Sequence, residues 1–414
     1  MIRVENLTKI FGPDAASVLP AVEEGKTKSE IQSETGHIVG VNNANFELAA
    51  GQVFAIMGLS GSGKSTLIRC INRLIEPTAG KIYLDDPDQG ERDITAMSMP
   101  ELRELRANHM SMVFQRFALF PHRTVLENTV YGLEIQGRPW KESADTGRKM
   151  LEMVGLAEWA EAYPSELSGG MQQRVGLARA LATEAKIMLM DEPFSALDPL
   201  IRVHMQQELL KIQERLARTI LFITHDLDEA MYIGDRIAIM DAGKIVQIGT
   251  PEEILTNPRT EYVARFVEHA DPTNVITART IMLPFDGGWF ETVDSGGDGR
   301  WLARRGQPHV TYHLSASGGF AGMAVEGEAA TVRSLNEVLD EIEKSGTQGR
   351  RRHDVALSCA PDTVLGDLLR GRTYATLPAV VIDGDGTARG VIDETELIGG
   401  ILEKRGTAGA AGAA

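Results

Sequence analysis

Early in the chain, GLSGSGKST at 58–66 places glycines, a lysine and hydroxyls where a phosphate could be held. The spacing G-x4-G-K-[ST] sets Gly58, Gly63, Lys64 and Ser65 in register, with Ser60, Gly61, Ser62 and Thr66 filling the loop. Glycines let backbone amides wrap an anion, and the N-terminus of a following helix favours negative charge. Lys64 would reach the outer phosphates of a nucleotide, and Ser65 would ligate Mg²⁺. A plain Gly/Ser turn before a helix is the alternative. The apolar run VFAIM before the loop and the helical pattern after it favour the phosphate loop.

Two further stretches invite the same chemistry. In IMLMDEP, at 187–193, four apolar residues end in Asp191, which places a carboxylate at the C-terminal edge of a buried strand. Ligands of parallel α/β sheets bind at that edge. Asp191 could hold Mg²⁺ through water, and Glu192 could orient and deprotonate an attacking water. LSGGMQQRV, starting at Leu167, has the small, backbone-exposing look of a phosphate cradle but no lysine. Alone, Ser168, Gly169 and Gly170 read as a helix N-cap with two turn glycines.

The elements that must position these groups alternate. Strands are predicted at MIRVENL, NANFELAAGQVFAIMGL, GKIYLDD, HMSMVFQ, AKIMLMDEP and TILFITHD, and a hairpin at RIAIMDAGKIVQIG. Helices are predicted from Lys64 to Leu74, over much of 99–182, at about 199–216 and at LDEAMYIG. Alternation of this kind predicts a largely parallel sheet covered on both faces. An insertion at 12–40 contains Thr27 followed by Glu30, a capping-box spacing, with Gly36 as a stop, so a short helix is expected there.

Composition bounds the rest. A length of 414 residues predicts two or three domains. A net charge of −16 lacks the basic footprint of a nucleic-acid binder. The two cysteines, Cys70 and Cys359, suggest neither a disulfide framework nor a zinc site, which suits a reducing cytosol. The first residues carry charges and no apolar h-region, so a signal peptide is not expected. No apolar run approaches the ~18 residues of a bilayer span; any membrane role would need another chain to do the spanning.

Taken together, these motifs resemble those of ABC-type ATPase subunits, over residues 1–272. They occur in that family's order: the phosphate loop, a glutamine loop around Gln115 in VFQRFALFP, LSGGMQQ at 167–173, the acidic strand end at 191–192, SALD at 195–198 and His225 in ITHD. The resemblance implies an α/β P-loop domain with a RecA-like core, an antiparallel β subdomain and a helical subdomain at about 99–182. It also implies a head-to-tail homodimer in which the signature of one copy closes over ATP held by the other. Ser168, Gly169, Gly170 and Gln172 would then act in trans, which gives the lysine-free cradle its reading. Phe11, in KIFG, would stack on adenine; by itself it is an ordinary core residue. Gln115 would sense the γ-phosphate and Mg²⁺, and its loop would relay that to a membrane partner. Asp198 would bridge the subunits, although alone it reads as a helix N-cap. His225 would hold Glu192 and water in line, with Lys64 among the catalytic groups.

The 12–40 insertion, GLSGSGKSTLIRCINRLIEPTAG, LSGGMQQRVGLARALA and FSALDPLIR resemble, within that family, the importer subunits for glycine betaine, proline betaine and choline. This implies an ATPase on the cytoplasmic face of the plasma membrane, peripheral to permease subunits and served indirectly by an extracytoplasmic binding protein. An importer for another polar solute, such as an amino acid or a sugar, is the alternative. A soluble ABC ATPase acting on DNA or ribosomes is disfavoured by the acidic charge and by the single cassette, and a non-hydrolysing sensor by intact Glu192 and His225.

Composition changes after about residue 272. Family subunits commonly end in tandem CBS modules, so 273–405 is expected to be a regulatory region. Residues 361–405 read as helix, strand, Asp-Gly turn, strand and helix; 276–345 are Gly-rich and fit a module poorly. GRRRH at 349–353 is a solvated linker or a contact for anionic lipid. The tail 406–414 is expected to be disordered.

Overall fold

A computed structural model describes residues 1–86, 90–115, 117–294, 299–345 and 352–401. The chain forms two compact units, Met1–Val263 and Ala264–Ala414. The first contains strands β1 (Ile2–Phe11), β2 (Ile38–Leu48), β3 (Val53–Met57), β4 (Ala79–Asp86), β5 (Gly90–Asp93), β6 (Met110–Val113), β7 (Ile187–Asp191), β8 (Thr219–Ile223), β9 (Arg236–Asp241) and β10 (Lys244–Gly249). Its helices are α1 (Leu19–Glu23), α2 (Lys28–Thr35), α3 (Lys64–Ile71), α4 (Met99–Asn108), α5 (Val125–Ile135), α6 (Trp140–Met153), α7 (Gly169–Ala182), α8 (Pro199–Leu216) and α9 (Leu227–Ile233), with further short helices after β10.

Six strands form the central sheet in the order β10-β9-β3-β8-β7-β6. All neighbours are parallel except the β9–β10 hairpin. Each of β3, β7 and β8 is buried along its whole length, which is why these segments read as continuous apolar runs rather than alternating ones. A four-stranded antiparallel sheet, β2-β1-β4-β5, packs through Ile2, Val4, Phe46 and Ile82 into the same core as Phe54, Leu189 and Leu221. Burying these side chains removes the apolar area that drives folding, roughly 1.5–3 kcal/mol for each large aliphatic residue.

The expected strand over NANFELAAGQVFAIMGL is two strands. The chain turns at Gly51, in the left-handed region at φ 74°, so β2 joins the antiparallel sheet and β3 the parallel one. β2 also begins inside the expected insertion, because Ile38 and Val39 pair with Phe11 and Ile10. The short helix expected in the insertion is α2, and α1, which was not anticipated, precedes it. Thr27 and Glu30 form a reciprocal capping box, and Gly36 closes α2 at φ 74°. A small core of Ile10, Val18, Val22, Ile31 and Val39 anchors it.

The second unit is rich in strands. One five-stranded sheet runs Leu283–Pro284, Ala388–Ile392, Ala379–Ile382, Val355–Cys359 and Thr331–Ser334; the other is an antiparallel meander over Phe290–Ala329. The helix–strand–strand–helix reading of 361–405 is met by helix Leu365–Arg372, the hairpin Ala379–Ile382 with Ala388–Ile392, and helical residues 394–401. The meander accounts for the Gly-rich, hairpin-like character of the preceding stretch. Of the basic cluster, 349–351 lie outside the described residues, as do 402–405 and the tail 406–414. Arg352 is already paired with Asp354 at 3.2 Å.

Thr27→Ala should cost the insertion helix about 1 kcal/mol. Faster amide exchange within 30–35 at an almost unchanged global unfolding midpoint is the expected result; unchanged exchange would show that the cap does not hold α2.

Candidate functional site

Three parallel strands end side by side, and their C-terminal ends carry the polar groups. After β3 the chain makes the 58–66 loop, in which Gly58, Gly61 and Gly63 take φ of 150°, 80° and 105°. A Cβ on Gly58 would collide with the Met240 carbonyl, and one on Gly63 with that of Gly40. Glycine is therefore required there by close approach as well as by conformation. Lys64, buried at the start of α3, donates to the carbonyls of Gly58 at 2.7 Å and Leu59 at 3.1 Å. Burial holds its pKa below the usual lysine value, against the pull of Glu192 and Asp191. Ser62 Oγ is buried in the loop and has no hydrogen-bond partner among the described residues.

β7 delivers Asp191 to the edge of the loop, fully buried at 0% exposure. One carboxylate oxygen accepts from Ser65 Oγ at 2.8 Å, the other from Arg69 at 3.2 Å. Ser65 and Arg69 are one helical turn apart on α3, so one face of that helix serves one carboxylate. The next residue, Glu192, sits in the left-handed region at φ 52°, a strained conformation for a side chain with a Cβ. Gln115 donates to Glu192 Oε2 at 3.0 Å, and His225 Nδ1 stands 3.4 Å from the same oxygen. The hydroxyl of Ser65, the carboxylate of Asp191 and the amide of Gln115 are oxygen donors that suit a hard cation such as Mg²⁺. The residues present fit that ion.

The residues on either side of His225 are anchored. The buried Thr224 hydroxyl donates to Glu229, which also accepts from Gln206 of α8 at 3.0 Å. Asp226 caps α9 and accepts from Arg202 at 3.2 Å. Burial raises the Glu229 pKa above the usual carboxylate value, with the Thr224 and Gln206 hydrogen bonds opposing it.

Ser168, Gly169 and Gly170 lie at the start of α7, where Ser168 Oγ accepts from Met171 N at 3.3 Å. Among the described residues no hydrogen bond joins this segment to 58–66, and Ser168 and Gly169 are exposed. Gln172 turns inward and donates to Pro164 and Leu167 carbonyls at 2.9 and 3.2 Å, so its amide shapes the loop before α7. Asp198 caps α8 by accepting from Ile201 N at 3.0 Å. Phe11 is partly exposed at the end of β1. Its ring crowds Gly40, which also lies against Thr66 of the phosphate loop.

Sequence reasoning missed Arg69, Gln173, Arg202 and Glu229. Arg69 was accessible through its four-residue spacing from Ser65. Gln173 shares a helical face with Leu177 and Ala180, both buried, so its amide had to find partners inside.

Comparison with known proteins places the chain among relatives. A family model described as ABC transporter matches residues 41–195. A glycine betaine transport ATP-binding protein of Bacillus subtilis is 46% identical, over 97% of this chain and 92% of its own length. A glycine betaine/proline betaine transport system ATP-binding protein of Escherichia coli is 43% identical, over 96% of both. Among solved structures, a dimeric ATP-binding cassette in a post-hydrolysis state with ADP and Pi aligns with a TM-score of 0.53 at 30% identity, covering 61% of this chain and 99% of that one.

The buried Glu229 generates a pH prediction. With its folded pKa raised, the stability this group contributes is fully present below its ordinary value of 4.5 and is lost as pH rises through the folded value. Glu229→Gln removes that loss, so the variant's advantage in denaturation midpoint over the parent should grow from pH 4.5 upward. An offset that does not change with pH would contradict the assignment.

Proposed function

Because the chain belongs to the family of ABC transporter ATP-binding subunits, we propose that it powers uptake of a quaternary-amine osmolyte, such as glycine betaine, proline betaine or choline, by hydrolysing ATP between two head-to-tail copies. The observation that carries the hydrolysis is Glu192 fixed between Gln115 and His225, one residue beyond an Asp191–Ser65 pair and beside a glycine-lined phosphate loop; the choice of solute is supported by the relatives named for glycine betaine and proline betaine transport. Glu192 orients the attacking water and takes its proton; His225 keeps that carboxylate in line. Lys64 has spent two of its three N–H donors on loop carbonyls, which aims the ammonium into the cradle and leaves one donor for a phosphate oxygen. Ser65, Asp191 and Gln115 would hold Mg²⁺, which neutralises phosphate charge when bound. Phe11 stacks on the adenine, and Gly58, Ser60, Gly61, Ser62, Gly63 and Thr66 wrap the phosphates.

Exposure supports the second copy. Ser168 and Gly169 at the N-terminus of α7 are exposed to solvent, and a symmetric pairing lets each copy complete its partner's site. Leu59 in the loop and Leu200 two residues after Asp198 are 61% and 85% exposed, apolar surface that such a pairing would cover.

No described helix is long and apolar enough to cross a membrane. A permease contact is supported by a groove of 730 Å³ lined by Leu74, Phe114, Ala118, Phe120, Tyr131 and Ile135, beside Gln115. Arg179 of α7 donates to the Phe117 and Ala118 carbonyls, at 3.3 and 2.8 Å, so movement of that loop pulls on the signature helix. We assign 273–405 to regulation, as a CBS-like region. The binding protein acts through the permease, from the opposite side of the membrane. An anionic-lipid contact by the basic stretch would lean little on Arg352, whose charge Asp354 already meets.

Glu192→Gln should slow hydrolysis by about 10²–10⁴-fold and leave an ATP-bound dimer that light scattering detects; a variant that stays monomeric under ATP and Mg²⁺ would count against the scheme. Reconstituted with its permease, the ATPase should be stimulated by binding protein loaded with betaine and not by amino-acid-loaded protein. The reverse preference would move the chain to the amino-acid importers.

A further inference from the structure

The signature segment and the catalytic carboxylate serve different nucleotides if the head-to-tail reading holds. Ser168, Gly169 and Gly170 of a copy face its partner's ATP; its Glu192 faces its own. Within one chain these two groups are joined through a buried side chain. Gln173 lies one helical turn into α7 and is 1% exposed. Its Nε2 donates to the Glu192 carbonyl at 2.8 Å, and its Oε1 accepts from Ala196 N at 2.9 Å. Both polar ends of the amide are used, and only one orientation satisfies a carbonyl and an N–H together.

The turn that Gln173 spans is the strained one. Glu192 holds φ 52°, and among the described residues its carbonyl is otherwise approached by the Ser195 amide at 3.4 Å and hydroxyl at 3.0 Å. A strained residue persists where its surroundings over-determine it. On the backbone of Glu192 the surroundings are the Ile223 carbonyl, which accepts from Glu192 N at 3.0 Å, and Gln173. A second contact runs the same way: a Cβ on Gly170 would stand 3.1 Å from the Ala196 carbonyl, so the signature glycine lies directly on the segment that Gln173 clamps.

We propose that Gln173 is a positioning residue that couples the two composite sites. Contact between a copy's signature and its partner's γ-phosphate seats α7, and Gln173 carries that seating to the Glu192–Ala196 turn, setting the carboxylate of the copy's own site. This rests on the head-to-tail reading and adds to it a direction of communication. A site becomes competent when the opposite site is filled.

The test uses mixed dimers of the full chain in which one site turns over. One copy is unaltered; the other carries Glu192→Gln, which keeps ATP bound, or Lys64→Ala, which prevents binding. At saturating partner, turnover by the unaltered copy is expected to be at least about fivefold higher beside Glu192→Gln than beside Lys64→Ala. Gln173→Met in the active copy should bring that ratio to about one. Gln173→Glu should do the same, since it keeps an acceptor for Ala196 and loses the donor to Glu192. A merely structural Gln173 would lower both turnovers alike and leave the ratio standing; that result overturns the proposal. A ratio of about one in the unmodified pairs overturns it as well. No turnover from either unmodified mixture is a different failure, since it removes the head-to-tail reading and this inference with it.

Discussion

A carboxylate with no access to water organises the nucleotide end of this chain. Asp191 ends a strand whose every residue is buried, and an ionised carboxylate in such surroundings is tolerated only when paired and hydrogen-bonded. Its partners, Ser65 and Arg69, come from the helix that the phosphate loop starts. Satisfying Asp191 therefore fixes the rotation of α3 against β7, and with it the place of Lys64. The loop glycines follow from the same constraint. Met240 and Gly40 carbonyls press against Gly58 and Gly63, leaving no room for a side chain once α3 is seated.

From this anchor the helical part of the domain is tied back through α7. Arg179 holds the segment after Gln115, Gln173 holds the segment after Glu192, and Arg174 donates to the Val154 carbonyl at 2.8 Å. Three long polar side chains from one helix thus reach three loops, each ending on a backbone carbonyl. Such bonds are geometric constraints more than sources of stability, since each is worth only about 1 kcal/mol net. Their value lies in making the loops move with the helix.

The residues that the structure gathers at the strand ends were legible because phosphate binding dictates residue types at fixed spacing. Gly58, Lys64, Ser65, Asp191 and Glu192 could be assigned roles before any fold was known. The capping box of Thr27 and Glu30 was legible for the same reason, being a local hydrogen-bond pattern. What escaped was partnership over distance. Local spacing puts Arg69 on the helical face of Ser65, but it does not say that the partner of that face is Asp191, 122 positions away, nor that Gln173 reaches Ala196. The split of the long second strand also escaped: an apolar run shows burial, and it does not show which of two sheets buries it. In the second unit, strand propensity and Gly-rich turns revealed hairpins, while the pairing of Val355–Cys359 with Thr331–Ser334 and Ala379–Ile382 depends on contacts made across the intervening helices.

Strain at Glu192 links these themes. A left-handed glutamate costs about 1–2 kcal/mol relative to a relaxed backbone, and glycine would remove that cost but also the carboxylate. The chain keeps the carboxylate and surrounds it with restraints: a β-ladder partner at Ile223, Gln115 and His225 at its tip, and the amide of Gln173 at its carbonyl. Two of the four come from segments outside the parallel core, one following β6 and the other within α7. A restraint supplied by a helix that itself ends in an exposed signature cannot be independent of whatever that signature touches. The geometry of the carboxylate is thereby made conditional on α7, and a local backbone cost becomes a point at which binding elsewhere can be felt.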